Sequence, residues 1–278
     1  MAEAAVAQLT VHDVIGSGCA RLAAAGCDTP RLDAELLLAR ALGHDSRALL
    51  VLDARAVVEK GQLLQFDRLL ERRQRREPVA YILGRRDFRG ISVCVDRRVL
   101  IPRPETELLV EAALGLPRDW SVADVGTGSG AVALALKAER PELAVTGIDA
   151  DPKALEVARG NRERLGLAVE FICADLLDAD RYDAVVANLP YVRRGERLAP
   201  EIAWYEPPYA VYGGEDGLEP IRRLASRLAR APRTRFVALE VGVGQARAVS
   251  AVLRGAGFAS IDLHRDLGGH ERVVVGRR

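Results

Sequence analysis

Asn188-Leu189-Pro190-Tyr191 offers groups suited to chemistry on a planar amino group. The Asn188 side-chain carbonyl and the backbone carbonyl of Leu189 can together accept both hydrogens of an –NH2. Pro190 fixes the turn, and the Tyr191 ring can stack on the plane of the group. Such a nitrogen is a poor nucleophile because its lone pair is delocalised. Two acceptors hold its hydrogens and aim the nitrogen at an electrophile, so the rate gain comes from positioning and from stabilising developing positive charge. That chemistry needs no catalytic His or Cys. His12, His44, His264 and His270 form no cluster, and Cys19, Cys27, Cys94 and Cys173 lack metal-ligand spacing, so no metal site is expected.

A second constellation points to the electrophile's carrier. Val122 to Val125 reads as a buried strand, Gly126-Thr127-Gly128-Ser129-Gly130 as a glycine turn, and Ala131 to Ala138 as a helix. Strand, glycine turn and helix bring backbone N–H groups and a positive helix end to a ligand. Gly126, Gly128 and Ala131 fit the lenient G-x-G-x-x-G/A pattern, which alone is a weak signal. Asp149 closes the next apolar strand, 19 residues after Gly130. A carboxylate there can accept from both hydroxyls of a ribose. Asp151-Pro152 suits the competing role of helix cap, which leaves Asp149 for the ligand. A nucleoside-bearing cofactor is implied, and NAD and S-adenosylmethionine both fit so far.

These residues need a sheet to aim them. From Val122 onward strands and helices alternate, with strands expected at 121–125, 144–148, 168–172, 183–187, 235–241, 258–264 and 271–276. The pattern predicts a doubly wound α/β domain, Rossmann-like, with a seven-stranded, mostly parallel sheet. Arg265 to His270 leaves no room for a helix, so the last two strands form an antiparallel C-terminal hairpin. Ligands in such sheets bind beyond the carboxyl ends of the strands, where the glycine loop, Asp149 and Asn188 would converge.

Ahead of this domain, residues 1–76 carry helical periodicity at Val6–Ala25, Pro30–Leu42 and Val57–Arg76, which predicts a small N-terminal helical bundle with Thr29 capping the second helix. Residues 77–104 read as a β-hairpin and proline-rich linker, with strands at Phe88–Val95 and Arg98–Ile101 and the next helix starting near Glu105. The catalytic domain is expected over 105–278. Eleven arginines between Arg68 and Arg103 read either as a solvated surface or as a docking face for an acidic or RNA-associated partner. Net charge is +1, so no overall field favours nucleic acid, and no apolar run is long enough for a membrane helix. The scattered cysteines fit reduced, mostly buried thiols of a cytoplasmic protein.

With Asn188 to Tyr191 in view, the chain resembles class I S-adenosylmethionine-dependent methyltransferases of the amino-methylating kind, whose motif is [N/D]-P-P-[Y/F/W]. More closely it is similar to the HemK family, the peptide chain release factor glutamine methyltransferases. The similarity rests on Arg76 to Gly84, Ile101 to Glu107, Asp124 to Gly130, Tyr205-Glu206-Pro207, Gly213 to Leu218 and Arg265 to Val274. Leu189 departs from the family's usual proline but keeps the backbone carbonyl.

The resemblance implies S-adenosyl-L-methionine held by Gly126, Thr127, Gly128, Ser129, Gly130, Asp149, Leu176 (against adenine) and Asn188. It implies catalysis at Asn188, Pro190 and Tyr191, with substrate on Asn188, Leu189, Pro190 and Tyr191, and places Phe88 and Arg103 at the substrate entry. The implied substrate is the glutamine N5 of the Gly-Gly-Gln loop in class I release factors, recognised by the helical domain. Asn-Leu-Pro-Tyr also occurs in proteins similar to ribosomal RNA adenine dimethylases, so the alternative is an adenine N6 methyltransferase acting on RNA or DNA. The balanced charge argues against direct nucleic-acid binding.

Overall fold

The computed structural model describes residues 9–44, 46–52, 54–177 and 180–278. In chain order the elements are α1 (Val11–Ala24), α2 (Pro30–Ala41), α3 (Leu49–Leu52), α4 (Lys60–Gln74), α5 (Val79–Leu83), β1 (Arg85–Phe88), β2 (Ile91–Cys94), α6 (Glu107–Ala113), β3 (Ser121–Val125), α7 (Ala131–Glu139), β4 (Ala144–Asp149), α8 (Pro152–Leu165), β5 (Glu170–Cys173), β6 (Ala184–Ala187), α9 (Pro200–Tyr205), α10 (Glu219–Leu228), β7 (Phe236–Glu240), α11 (Ala246–Gly255), β8 (Ser260–Arg265) and β9 (Glu271–Arg277). They form two compact units, Met1–Gly84 with Ala199–Tyr205, and Arg85–Leu198 with Glu206–Arg278.

The first unit is helical. Thr10 opens α1 with a reciprocal capping box to Asp13, which satisfies two N–H groups that the helix start would leave unpaired. Residues 6–8, expected in this helix, lie outside the described residues. Thr29 precedes α2, but its hydroxyl bonds the Asp33 carboxylate at 2.8 Å rather than a backbone N–H, so the expected cap takes another form. Leu22, Leu37, Leu38 and Leu70 are fully buried, each stabilising the bundle by roughly 1.5–3 kcal/mol. Gly18 lets α1 approach α4, since a Cβ there would lie 2.7 Å from the Phe66 ring.

The arginines expected at the surface divide in their exposure. Arg73 is buried and bonds Asp33 and Glu201, each at 2.7 Å; Arg76 also pairs with Glu201, and Arg72 with Glu77. Elsewhere in the run Arg89 pairs with Glu139, Arg98 with Asp96 and Glu156, and Arg103 with Glu206. All six pair within their own unit; Arg73 and Arg76 keep only 6% and 13% of their side chains exposed there, whereas Arg72 and Arg98 keep 42%, as the solvated-surface reading has it.

The second unit is built on a seven-stranded sheet of order β5-β4-β3-β6-β7-β9-β8, parallel except for the pairings of β9. The switch in strand order falls between β3 and β6. β6 (Ala-Val-Val-Ala) is buried on both faces, as a central parallel strand must be. On α10, Ile221, Leu224, Ala225 and Leu228 are the buried residues, spaced to form one apolar stripe. β1 and β2 form a separate hairpin turned by Arg89 and Gly90, both at positive φ. That turn splits the strand expected over 88–95. Arg98–Ile101 is no strand, because Asp96 folds the chain into a turn by accepting from Arg98 N and Val99 N. Cys94 and Cys173 are exposed, so burial of the thiols holds only in part.

Removing Arg73 should cost the helical unit heavily. Arg73→Met leaves the buried Asp33 without its cation, and breaking such a pair costs about 3–5 kcal/mol. Urea unfolding of the full chain is the measurement; a loss under about 1 kcal/mol would show that the pair does not hold the bundle.

Candidate active site

A cavity of about 410 Å³ opens beyond the carboxyl ends of β3, β4 and β6, within the range of small-molecule sites. Gly126, Gly128, Asp149, Leu176, Asn188, Leu189 and Pro190 stand on its wall, so seven of the sequence-derived site residues converge. Thr127, Ser129 and Gly130, expected at the cofactor, are not on that wall.

The glycine loop is shaped by its surroundings. Gly126 N and Thr127 N donate to Ile148 O at 2.8 and 3.0 Å, tying the loop to β4. Gly126 has φ +75°, and a Cβ there would meet the Leu189 side chain at 3.1 Å. Asp124, buried at 2% exposure, accepts from the Thr127 hydroxyl at 2.6 Å and from Ala133 N at 3.1 Å. One of the first N–H groups of α7 is thereby spent on Asp124, not on a ligand, which revises the expected use of this helix end. Burial pushes the Asp124 carboxyl up to about 7, against the pull of both hydrogen bonds. Only an acidic residue inside an apolar strand hinted at this role.

Asp149 holds the loop from the other side. Its Oδ2 accepts from Gly128 N and its Oδ1 from Asp151 N, both at 2.9 Å. Each oxygen keeps a lone pair for a further donor on the cavity side. Burial is the main influence on this carboxyl and raises its pKa. Asp151 caps α8 through Lys153 N, as its position before Pro152 suggested. Leu176 sits on the wall at φ +63°, a conformation that costs a non-glycine residue energy and is held here by its packing. Tyr209, missed by the sequence reading, also lines the cavity; its one hydroxyl hydrogen lies between Asp151 Oδ2, the nearer acceptor, and Arg98 O.

Asn188 is fixed by Thr106. Its Nδ2 donates to Thr106 Oγ1 at 3.1 Å, and among the described residues no donor takes up Asn188 Oδ1 or the Leu189 carbonyl. Tyr191 stands on the wall of a different pocket, of about 320 Å³, with Arg193, Gln245 and Arg272. Its hydroxyl donates to Glu240 Oε1 at 3.3 Å, and its carbonyl accepts from Gln245 Nε2 at 2.9 Å. Gly213 and Gly217 have no space for a side chain: a Cβ would fall 2.3 Å from Pro190 O and 2.1 Å from Tyr191 O. That close approach explains the glycines of the 213–217 loop. Phe88 is buried in the fold and lines neither pocket; Arg103 pairs with Glu206, keeps 29% of its side chain exposed and lies close enough to Tyr191 to act on its hydroxyl.

Comparison with known proteins accords with this geometry. The PrmC N-terminal domain model matches residues 13–84, and the methyltransferase small domain model matches residues 104–205. The release factor glutamine methyltransferase of Koribacter versatilis is 39% identical over 97% of this chain and 99% of its own length. The chain belongs to the release factor glutamine methyltransferase family. The member from Caulobacter vibrioides is 40% identical over 92% of each chain. A methyltransferase from Pyrococcus furiosus shares the fold, with TM-score 0.52 and 17% identity over 68% of this chain and 89% of that one. As a member of this family the chain is an enzyme, a methyltransferase.

The raised pKa of Asp124 has a consequence for stability. A carboxyl whose folded pKa lies above its unfolded value contributes stability fully below the unfolded value, and loses it as pH rises through the folded one, here about 7. Asp124→Asn keeps an oxygen for Thr127 and Ala133 and removes the titration. The variant should therefore gain stability relative to wild type as pH rises through that range. Denaturant midpoints that run parallel for the two proteins would place the Asp124 pKa elsewhere.

Proposed function

We propose that this chain methylates the side-chain amide nitrogen, N5, of the glutamine in the Gly-Gly-Gln loop of class I peptide chain release factors, using S-adenosyl-L-methionine. The observation that carries the reading is the anchored Asn188 amide. With Nδ2 committed to Thr106, its carbonyl end remains for a donor, and the Leu189 carbonyl remains beside it. A primary amide has two N–H groups to offer such a pair of acceptors. The names of the relatives point to the same substrate.

The cavity fits the cofactor. Gly126 and Gly128 of the glycine loop bring bare backbone to its wall, Asp149 offers two oxygens for ribose hydroxyls, and Leu176 with Ala174 gives an apolar surface for a base. S-adenosylmethionine held there would supply the methyl carbon and leave as S-adenosylhomocysteine, while the amide nitrogen would give up one proton to solvent. Asn188 and Leu189 hold the amide and stabilise the positive charge that grows on its nitrogen. Tyr191, fixed at both its hydroxyl and its carbonyl, confines the plane of the group.

The helical unit, over 1–76 by the sequence reading, is assigned to recognition of the release factor; it matches the PrmC N-terminal domain model and carries none of the residues used in the chemistry. The reaction is placed in the cytoplasm, where release factors act. Among the described residues no helix is long and apolar enough to cross a membrane.

Mass spectrometry of a purified class I release factor, incubated with the protein and S-adenosylmethionine, tests the reading. One CH2 should be gained on the glutamine of the Gly-Gly-Gln loop. Methylation of naked ribosomal RNA, with none of release factor, would replace it by the adenine alternative. Asn188→Ala should slow turnover by about 10²–10³, the range for one preorganised polar group. Asp149→Ala should weaken cofactor affinity at least about tenfold, because a lost hydrogen bond to a charged group costs roughly 1.5–3 kcal/mol; unchanged calorimetric affinity in the folded variant would remove Asp149 from the site.

A further inference from the structure

Glu240 ends β7 with its side chain buried at 1% exposure. Nothing in the cofactor cavity requires it, since it is absent from that wall. The Tyr191 hydroxyl donates to Glu240 Oε1 at 3.3 Å, and the Thr106 hydroxyl, already an acceptor for Asn188 Nδ2, lies near enough to favour the ionised carboxyl without a hydrogen bond to it of its own. These belong to the aromatic of the 188–191 segment and to the residue that anchors Asn188. The Glu240 Oε2 atom is buried and makes no hydrogen bond among the described residues. An apolar residue would cost far less here, because a buried polar atom without a partner is destabilising.

We propose that Glu240 is a positioning residue for methyl transfer: its carboxylate sets the direction of the Thr106 and Tyr191 hydroxyls, and through them the presentation of Asn188 and the Tyr191 ring. The proposal rests on the amide-methylating function above. A carboxylate has no proton and can only accept. Facing it, the Thr106 hydroxyl points its hydrogen toward Glu240 and turns its lone pairs toward Asn188 Nδ2. Asn188 Oδ1 is then left for the substrate. A protonated Glu240 is itself a donor and competes for the Thr106 lone pairs. The Thr106 hydroxyl can then turn to Asn188 and stabilise the flipped amide, which shows the substrate an N–H where it needs an oxygen.

The charged groups around Glu240 oppose one another. Glu105, from the turn ahead of α6, raises its pKa, and Arg272, on β9, lowers it; Tyr191 follows β6, whose own residues, Ala184 to Ala187, do not titrate. Burial dominates and pushes the carboxyl up to about 7, so ionisation occurs in the physiological range. The active form is the ionised one, present above that value.

The test is the pH dependence of kcat and of KM for the full chain, with purified release factor as substrate. Wild type should show kcat rising with pH through a limb near 7. Glu240→Gln, which preserves shape but cannot ionise, should lose that limb and fall roughly tenfold or more on the alkaline plateau. Its affinity for S-adenosylmethionine and its KM for release factor should stay at wild-type values. A wild-type limb retained in Glu240→Gln, or a variant with unchanged kcat, overturns the proposal. So does a loss of cofactor affinity in parallel with kcat, which a scaffold role alone would produce. Should the variant not fold, the wild-type profile decides, and a flat kcat across the range overturns the proposal. Absence of any glutamine methylation by wild type would instead defeat the proposed function, a separable result.

Discussion

An asparagine amide is useful for holding another amide only if it cannot rotate. Its two ends are nearly the same size and opposite in hydrogen-bonding character, so an unanchored Asn188 would present an acceptor part of the time and a donor the rest. The bond from Asn188 Nδ2 to Thr106 Oγ1 removes that ambiguity. Much of the surrounding structure serves to keep Thr106 in place. Pro104 opens a single 3₁₀ turn that ends at Thr106, and α6 follows at once. Upstream, Glu206 accepts from Ile101 N and pairs with Arg103. The proline-rich stretch is thus stiff for a reason: it delivers one hydroxyl to the end of β6.

Acidic side chains gathered at the carboxyl ends of the strands are the cost of this arrangement. Asp124, Asp149 and Glu240 all have raised pKa values, and burial is the first cause in each case. Each organises backbone or hydroxyl groups. Asp124 fixes the glycine loop, Asp149 joins that loop to the start of α8, and Glu240 faces the two hydroxyls beside Asn188. Such charges weaken a core and persist where they shape a site, the usual exchange of stability for function.

The sheet was legible from residue types because hydrophobic runs and breakers are local signals. β3, the glycine turn, α7, β4 and Asp149 lie within 29 residues of one another, so their geometry follows from short-range rules. Asn188 to Tyr191 could be read because its groups sit side by side. Thr106 and Glu240 could not. They act on Asn188 and Tyr191 from 82 and 49 residues away, and no period or motif links such positions before the sheet is formed. The hairpin of β1 and β2 was misread for a different reason. Arg89 adopts positive φ beside Gly90, and an arginine carries no turn signal. The arginine run misled because composition shows charge but not partners; Arg73 finds Asp33 40 residues earlier.

Methyl transfer depends on the orientation of the Asn188 amide, and the single-turnover rate of Thr106→Val reads that dependence. Valine matches threonine in shape and supplies no acceptor for Nδ2, whereas Thr106→Ser keeps the hydroxyl. The valine variant should transfer the methyl group at least about tenfold more slowly than wild type, the serine variant at close to the wild-type rate, and both should bind S-adenosylmethionine with unchanged affinity. A valine variant that transfers the methyl group at the wild-type rate would contradict that dependence.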